Sequence, residues 1–260
     1  KIPTKVFSTA QQGAMFVADK IKSTITKNDA AKKVTVLGLA TGSTPILLYK
    51  ELVKMHQNGL SFKNVVSFNL DEYYPMAADA PQSYNRFMDE NLFDHIDINR
   101  DNVFIPDGRV ALKDIEKYCE NYENKIDEYG GIDIQILGIG RTGHIGFNEP
   151  GSSPKSLTRL VTLDKKTRID ASGDFRNEEN IPRTAITMGV GTIFKAKRIY
   201  LMAWGDIKSE IVAKAIEGDV SWQVPATFLQ NHNKTSFIVD AAASTGLERI
   251  KTPWLIESCE

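Results

Sequence analysis

The run Gly138-Ile139-Gly140-Arg141-Thr142-Gly143-His144-Ile145-Gly146-Phe147-Asn148-Glu149-Pro150-Gly151 decides how this chain is read. It follows an apolar stretch, Ile132 to Leu137, with the length and composition of a buried strand. It then packs glycines, a histidine, an asparagine and a glutamate into a segment with no helical period. Glycine lets a backbone turn sharply and lie close to a ligand. A histidine and a carboxylate in one turn can handle protons near neutral pH. A loop leaving the end of a strand is where open α/β sheets put their sites.

Gly138, Gly140 and Gly143 also spell G-x-G-x-x-G. A dinucleotide site needs a helix opening at that loop and an acidic residue about 20 positions on, at the end of the next strand. Gly146, Pro150 and Gly151 stand where the helix would run, so the nucleotide reading is set aside.

Outward from this loop, strand and helix patterns alternate. Strands are predicted over Val34 to Leu39, Val65 to Leu70, Ile132 to Leu137, Arg198 to Ala203 and Thr235 to Val239. Leu157 to Leu163 reads as an extra, less regular strand. Helices are predicted over Ser8 to Ile25, Ile46 to Met55, Tyr84 to Phe93, Leu112 to Tyr129 and Lys208 to Glu217. Such alternation implies an α/β fold: an open, mainly parallel sheet with helices on both faces, Rossmann-like but not dinucleotide-binding. No internal repeat or linker divides residues 1–260, which are read as a single domain. The chain starts without Met and stops at Cys259-Glu260, just after Trp254-Leu255-Ile256, which is expected of a trimmed chain or of the front part of a longer polypeptide.

The formal net charge is -1 over 260 residues, which gives no broad field for nucleic acid or an anionic membrane. No apolar run approaches a membrane span, and Lys1 to Lys5 lack the apolar core of a secretory signal. Cys119 and Cys259 form no C-x-x-C pair, which favours a reduced cytoplasmic protein over a disulfide scaffold. His56, His95, His144 and His232 show no metal-ligand spacing. Neither a metal nor a cofactor is expected.

Three further motifs follow predicted strands. In Thr41-Gly42-Ser43-Thr44-Pro45, Ser43 or Thr44 can cap the following helix and Pro45 suits its first position. The free amides of such a turn make an anion site, and Gly42 allows close approach. A well-capped helix with no ligand is the plainer reading of the same residues. Asp71 and Glu72, in Phe68-Asn69-Leu70-Asp71-Glu72-Tyr73, are costly at the end of a buried strand unless solvated, paired or used. One of them can serve as a base between adjacent carbons, or simply as a cap or loop ion pair. Lys208, after Trp204-Gly205, can neutralise a phosphate or be an ordinary solvated lysine. All four motifs fall at strand ends that share one edge of a parallel sheet.

These blocks, with Gly143-His144-Ile145-Gly146-Phe147-Asn148-Glu149-Pro150 and Met188-Gly189-Val190-Gly191-Thr192, resemble the glucosamine-6-phosphate deaminase (glucosamine-6-phosphate isomerase) family, in the same order from about Val34 onward. The resemblance implies isomerisation and deamination of glucosamine 6-phosphate to fructose 6-phosphate and ammonia. It implies Asp71, His144, Glu149 and Thr142 as catalytic positions. Thr41, Gly42, Ser43, Thr44, Glu72, Gly140 and Lys208 are implied as substrate-binding positions. The partner is then a small sugar phosphate, with homo-oligomerisation open. Another sugar phosphate, or a non-catalytic sugar-phosphate sensor, are the alternatives. Two departures stand out. Thr142 replaces an aspartate that completes an Asp-His-Glu relay. The family's later phosphate-binding arginine aligns near Gly173, with Arg168, Arg176 and Arg183 nearby as substitutes. Regulated members also carry a lysine where this chain has Val161, beside Ser152 and Arg159, at a site for N-acetylglucosamine 6-phosphate.

Overall fold

Largely apolar runs form the centre of the molecule because every residue of the strands Thr35–Leu39, Val65–Asn69, Ile134–Leu137 and Ile199–Ala203 is removed from water. The computed structural model describes residues 2–170, 175, 181–248 and 255–256. In chain order the strands are β1 (Thr4–Phe7), β2 (Thr35–Leu39), β3 (Val65–Asn69), β4 (Asp71–Tyr74), β5 (Val103–Phe104), β6 (Ile134–Leu137), β7 (Arg159–Thr162), β8 (Thr184–Thr187), β9 (Ile199–Ala203), β10 (Thr235–Asp240) and β11 (Leu255–Ile256). The helices are α1 (Ala10–Ala30), α2 (Ile46–Gln57), α3 (Tyr84–Asn91), α4 (Ile115–Glu128), α5 (Lys165–Asp170), α6 (Val190–Phe194) and α7 (Ser209–Glu217).

Among the described residues, eight strands form one sheet in the order β11-β1-β10-β9-β6-β2-β3-β5. Every pairing in it is parallel. Residues of β2, β3, β6 and β9 are buried throughout, so these strands read as largely apolar runs, broken by buried Thr35, Ser67, Asn69 and Gln135, rather than as alternating ones. On one face, Val17, Ile21 and Ile25 of α1 and Leu48 and Leu52 of α2 pack on Leu37, Leu39, Ile136 and Met202. On the other, Tyr122 and Ile126 of α4 and Ile211, Val212 and Ala215 of α7 pack on Val36, Val66, Phe68 and Leu201. Burying each large aliphatic side chain contributes about 1.5–3 kcal/mol, and the two cores clamp the sheet between helical layers. The α/β class and the parallel sheet covered on both faces are as expected.

The differences have local causes. The first helix opens at a capping box: Thr9 Oγ1 accepts from Gln12 N (3.2 Å) and Gln12 Oε1 accepts from Thr9 N (3.1 Å). It therefore begins after Ser8, and it runs on beyond Ile25. The expected cap on α2 is corrected. The chain enters that helix through Pro45, with no side-chain cap from Ser43 or Thr44. The strand β1 passed unread because four residues near a terminus carry little period. It pairs parallel with β10.

The largest difference is a second sheet, β4-β8-β7, antiparallel throughout. The irregular strand read at Leu157 to Leu163 belongs to it as β7. Its neighbours β4 and β8 were missed because Asp71 and Glu72 are poor strand formers and Thr184–Thr187 is short. Only Leu70 separates β3 from β4, so the chain leaves the main sheet and enters the small one at the acidic pair.

Candidate active site

The C-terminal ends of β9, β6, β2 and β3 are neighbours in the main sheet. The four loops that leave them therefore converge. Thr41, Gly42, Ser43, Thr44, Asp71, Gly140, His144 and Lys208 line one cleft of about 630 Å³. Glu72, Thr142 and Glu149 are not in its lining.

At the β2 end, Gly42 adopts φ +94, a left-handed conformation that side-chain-bearing residues rarely take. The indole of Trp204 donates to Thr44 O at 3.0 Å and pins the turn. Ser43 is exposed to the cleft mouth.

At the β3 end, Asp71 is 5% exposed. Burial pushes its carboxyl up to about 8, with a smaller contribution from the neighbouring Glu72. Glu72, expected to bind substrate, lies outside the cleft lining. Its carboxylate accepts from the backbone amides of Tyr73 (2.9 Å), Tyr84 (3.0 Å) and Asn85 (3.0 Å). It anchors the first turn of α3, whose dipole favours a negative group there. Burial raises its carboxyl to about 7 in spite of the three amides.

At the β6 end no helix begins, which disposes of the dinucleotide fingerprint. The loop folds back on itself: Gly140 N donates to His144 O (3.0 Å) and Gly143 N to Gly140 O (2.9 Å). The imidazole of His144 then lies over Gly140, which lines the cleft but also makes room for the ring. Gly146, at φ +55, passes close to Asp71 Oδ2: a Cβ there would stand 3.3 Å away. Asn148, fully buried, bolts the loop down, donating to Ile145 O (2.9 Å) and Met188 O (2.8 Å) and accepting from Arg159 (3.0 Å).

Behind His144 sits a polar cluster. Glu149 Oε2 lies 3.3 Å from His144 Nδ1. Thr142 Oγ1 lies 2.9 Å from the same nitrogen and donates to Glu149 Oε2 at 3.3 Å. Thr167, on α5, donates to Glu149 Oε1. Burial alone would raise the Glu149 carboxyl, but His144 and the two hydroxyls outweigh it and hold it below the usual range. The sequence offered no sign of Thr167, which stands 23 positions from His144 on a helix that was not read.

At the β9 end, Lys208 precedes α7 and its ammonium donates to Ile139 O at 2.8 Å, on the β6 loop. Arg141 also lines the cleft, whereas Arg168 and Arg183 are not among its described lining residues. Gly173 and Arg176 lie outside the described residues. Tyr73, Tyr84 and Phe147 form an aromatic wall that sequence reasoning missed, with Tyr84 and Phe147 stacked at 6.0 Å. Among the described residues, no cluster of three or more His, Cys, Asp or Glu side chains is placed to hold a metal ion.

The family model for glucosamine-6-phosphate isomerases/6-phosphogluconolactonase matches residues 8–238. The chain belongs to that family. A glucosamine-6-phosphate deaminase-like protein of Bacteroides thetaiotaomicron is 47% identical over 261 residues, covering 100% of this chain but 39% of that protein. This chain thus spans well under half of that relative's length. The glucosamine-6-phosphate deaminase of Clostridium acetobutylicum is 48% identical over 215 residues, 82% of this chain and 88% of that enzyme. A solved monomeric glucosamine-6-phosphate deaminase superposes with TM-score 0.90 at 40% identity, covering 94% of this chain and 100% of that one. The 6-phosphogluconolactonase of Trypanosoma brucei, at 22% identity and TM-score 0.77 over 95% of this chain and 99% of its own, shares the fold.

A neutral hydroxyl, Thr142, contacts both His144 and Glu149. No helix among the described residues is long and apolar enough to cross a membrane.

Proposed function

We propose that this chain converts glucosamine 6-phosphate to fructose 6-phosphate and ammonia. The observation that carries the reading is the convergence of Asp71 and His144 on one cleft whose rim offers a helix-initiating turn and two cations. The phosphate would rest on the Ser43-Thr44 turn, facing the ammonium of Lys208 and the guanidinium of Arg141. The sugar ring would lie along Tyr73 and Tyr84.

His144 opens the pyranose by taking the anomeric hydroxyl proton and delivering a proton to the ring oxygen. Asp71 then removes the proton from C2 and returns one to C1. The product of that shift is a ketose imine at C2. Water adds to the imine and ammonia leaves. A base for this step must be ionised, and burial pushes the Asp71 carboxyl up to about 8. The substrate's own ammonium, beside C2, supplies the positive charge that draws the carboxyl back down.

A cytoplasmic setting suits a charged sugar phosphate, which does not cross membranes unaided.

Purified protein incubated with glucosamine 6-phosphate should release ammonia and fructose 6-phosphate in equal amounts. Release of neither would overturn the reading. Turnover of a sugar phosphate lacking the amine, with none of the amino sugar, would favour a different isomerase.

A further inference from the structure

The cluster behind His144 can be resolved by counting protons. Glu149 is held ionised, so it brings none. Thr142 and Thr167 each own a single hydroxyl proton. Thr142 directs its proton to Glu149 Oε2 and Thr167 directs its proton to Glu149 Oε1. The Thr167 proton is spent on the carboxylate, its far shorter contact. A bare Nδ1 would face the lone pairs of Glu149 Oε2 at 3.3 Å with one Thr142 proton to share between them, so that contact and the 2.9 Å contact to Thr142 Oγ1 together favour a proton on the imidazole Nδ1. Thr167 Oγ1 stands 3.5 Å from the same nitrogen and has no proton left to give it.

We propose that Thr167 is a positioning residue that clamps Glu149 from the side opposite Thr142, so that the pair fixes His144 as the Nδ1–H tautomer. The Nδ1 proton faces Thr142 Oγ1 at 2.9 Å and Glu149 Oε2 at 3.3 Å, and the Thr142 hydroxyl donates to the same carboxylate oxygen. The other nitrogen, Nε2, then carries a lone pair and is free to accept a proton in the cleft. A carboxylate held on one oxygen alone can swing. A carboxylate held on both oxygens, by donors from two separate elements, cannot. This is what α5 contributes to the site: it brings Thr167 onto Glu149 from outside the glycine loop.

The residue at position 142 is a neutral hydroxyl and not a second carboxylate. A second carboxylate would favour a charged imidazole. A hydroxyl transmits orientation without adding charge. The clamp is thus a way of aiming His144 that uses one carboxylate and two neutral donors.

This inference rests on the proposed deaminase reading for its kinetic arm only. The direct test needs no turnover. Nitrogen-15 spectra of the histidine-labelled protein, with the His144 signals assigned by their loss in His144→Gln, report the tautomer. The wild type should show His144 with Nδ1 protonated and Nε2 bare. A wild-type spectrum with Nε2 protonated would overturn the proposal whether or not the chain deaminates anything. Thr167→Val should add a measurable Nε2–H population, and Thr167→Ser should restore the wild-type pattern.

In the kinetic arm, Thr167→Val should lower kcat roughly tenfold, the size of one hydrogen bond to a charged group. KM should move far less, because the residue acts through Glu149 and not on the sugar. Thr167→Ser should recover most of the rate. In a Glu149→Gln background the same change should cost less than about twofold, since the partner it positions is gone. An unchanged kcat in Thr167→Val, or an equal loss in both backgrounds, would show that Thr167 does not act through Glu149. Absence of deamination in the wild type would remove the proposed function and leave the spectroscopic result standing.

Discussion

A Cβ placed on Gly140 would stand 2.0 Å from Cε1 of His144. The histidine occupies the space that any other residue at position 140 would fill. Gly140→Ala should therefore fold, with a stability loss of about 1–3 kcal/mol from overpacking, and displace the ring. A displacement near 1 Å costs about 10²-fold in rate. The check is kcat alongside the thermal midpoint: a folded variant at wild-type kcat would mean that the ring's position does not matter.

Asp71→Asn should abolish the proton transfer, about 10²–10⁴-fold in kcat, and leave substrate binding nearly intact. Near-normal turnover would remove Asp71 from the mechanism.

The same substitution should stabilise the fold. An unfolded chain releases this proton near pH 3.8, whereas the folded chain keeps it to about pH 8. Between those values the folded state binds more protons, so wild-type stability falls as pH rises, by at most about 1.4 kcal/mol per pH unit. Asparagine does not titrate. Denaturant melts at pH 5 and pH 8 should show Asp71→Asn gaining on the wild type at the higher pH. In the wild type, kcat/KM should climb towards pH 8 as the free base forms. A kcat/KM that is flat from pH 6 to pH 8 would contradict the buried-base assignment.

His144→Gln should slow ring opening more than the later steps. A substrate analogue held in the open form should then lose less rate than the cyclic sugar. Equal losses on both would assign His144 another role.

Lys208→Ala should mainly raise KM, because a phosphate contact is made in ground and transition states alike. Its ammonium also ties Ile139 O, so a modest fall in stability should accompany the change. A large drop in kcat at constant KM would contradict the phosphate role.

Arg159 touches Ser152 at 3.4 Å, and Val161 lies two residues on in β7. Valine offers no cation to a second phosphate. The lost charged hydrogen bond is worth about 1.5–3 kcal/mol, roughly ten- to a hundredfold in affinity. Substrate saturation should therefore be hyperbolic and unmoved by N-acetylglucosamine 6-phosphate. A leftward shift on adding it would show that another basic residue serves in place of the lysine.

The sequence by itself determined the α/β class, the main strands and most of the helices around them. It also brought Asp71, His144 and Lys208 to one sheet edge. The physical reason is that parallel strands buried on both faces are mostly apolar, so their ends, and the polar loops beyond them, are marked by changes of composition. Local rules reached the glycine loop for the same reason.

Only the tertiary structure decided what each polar group in those loops does. Asp71 and Glu72 are adjacent and chemically alike in the sequence. One lines the cleft and the other holds the amides of α3, because successive side chains of a strand point to opposite faces. The sheet β4-β8-β7 is built from short, polar or irregular segments whose pairing partners lie more than 100 residues apart for β4 and β8, and such pairing leaves no local period to read. Thr167 reaches Glu149 for the same reason: two residues 18 apart in sequence meet through packing, and nothing in either stretch alone records the contact.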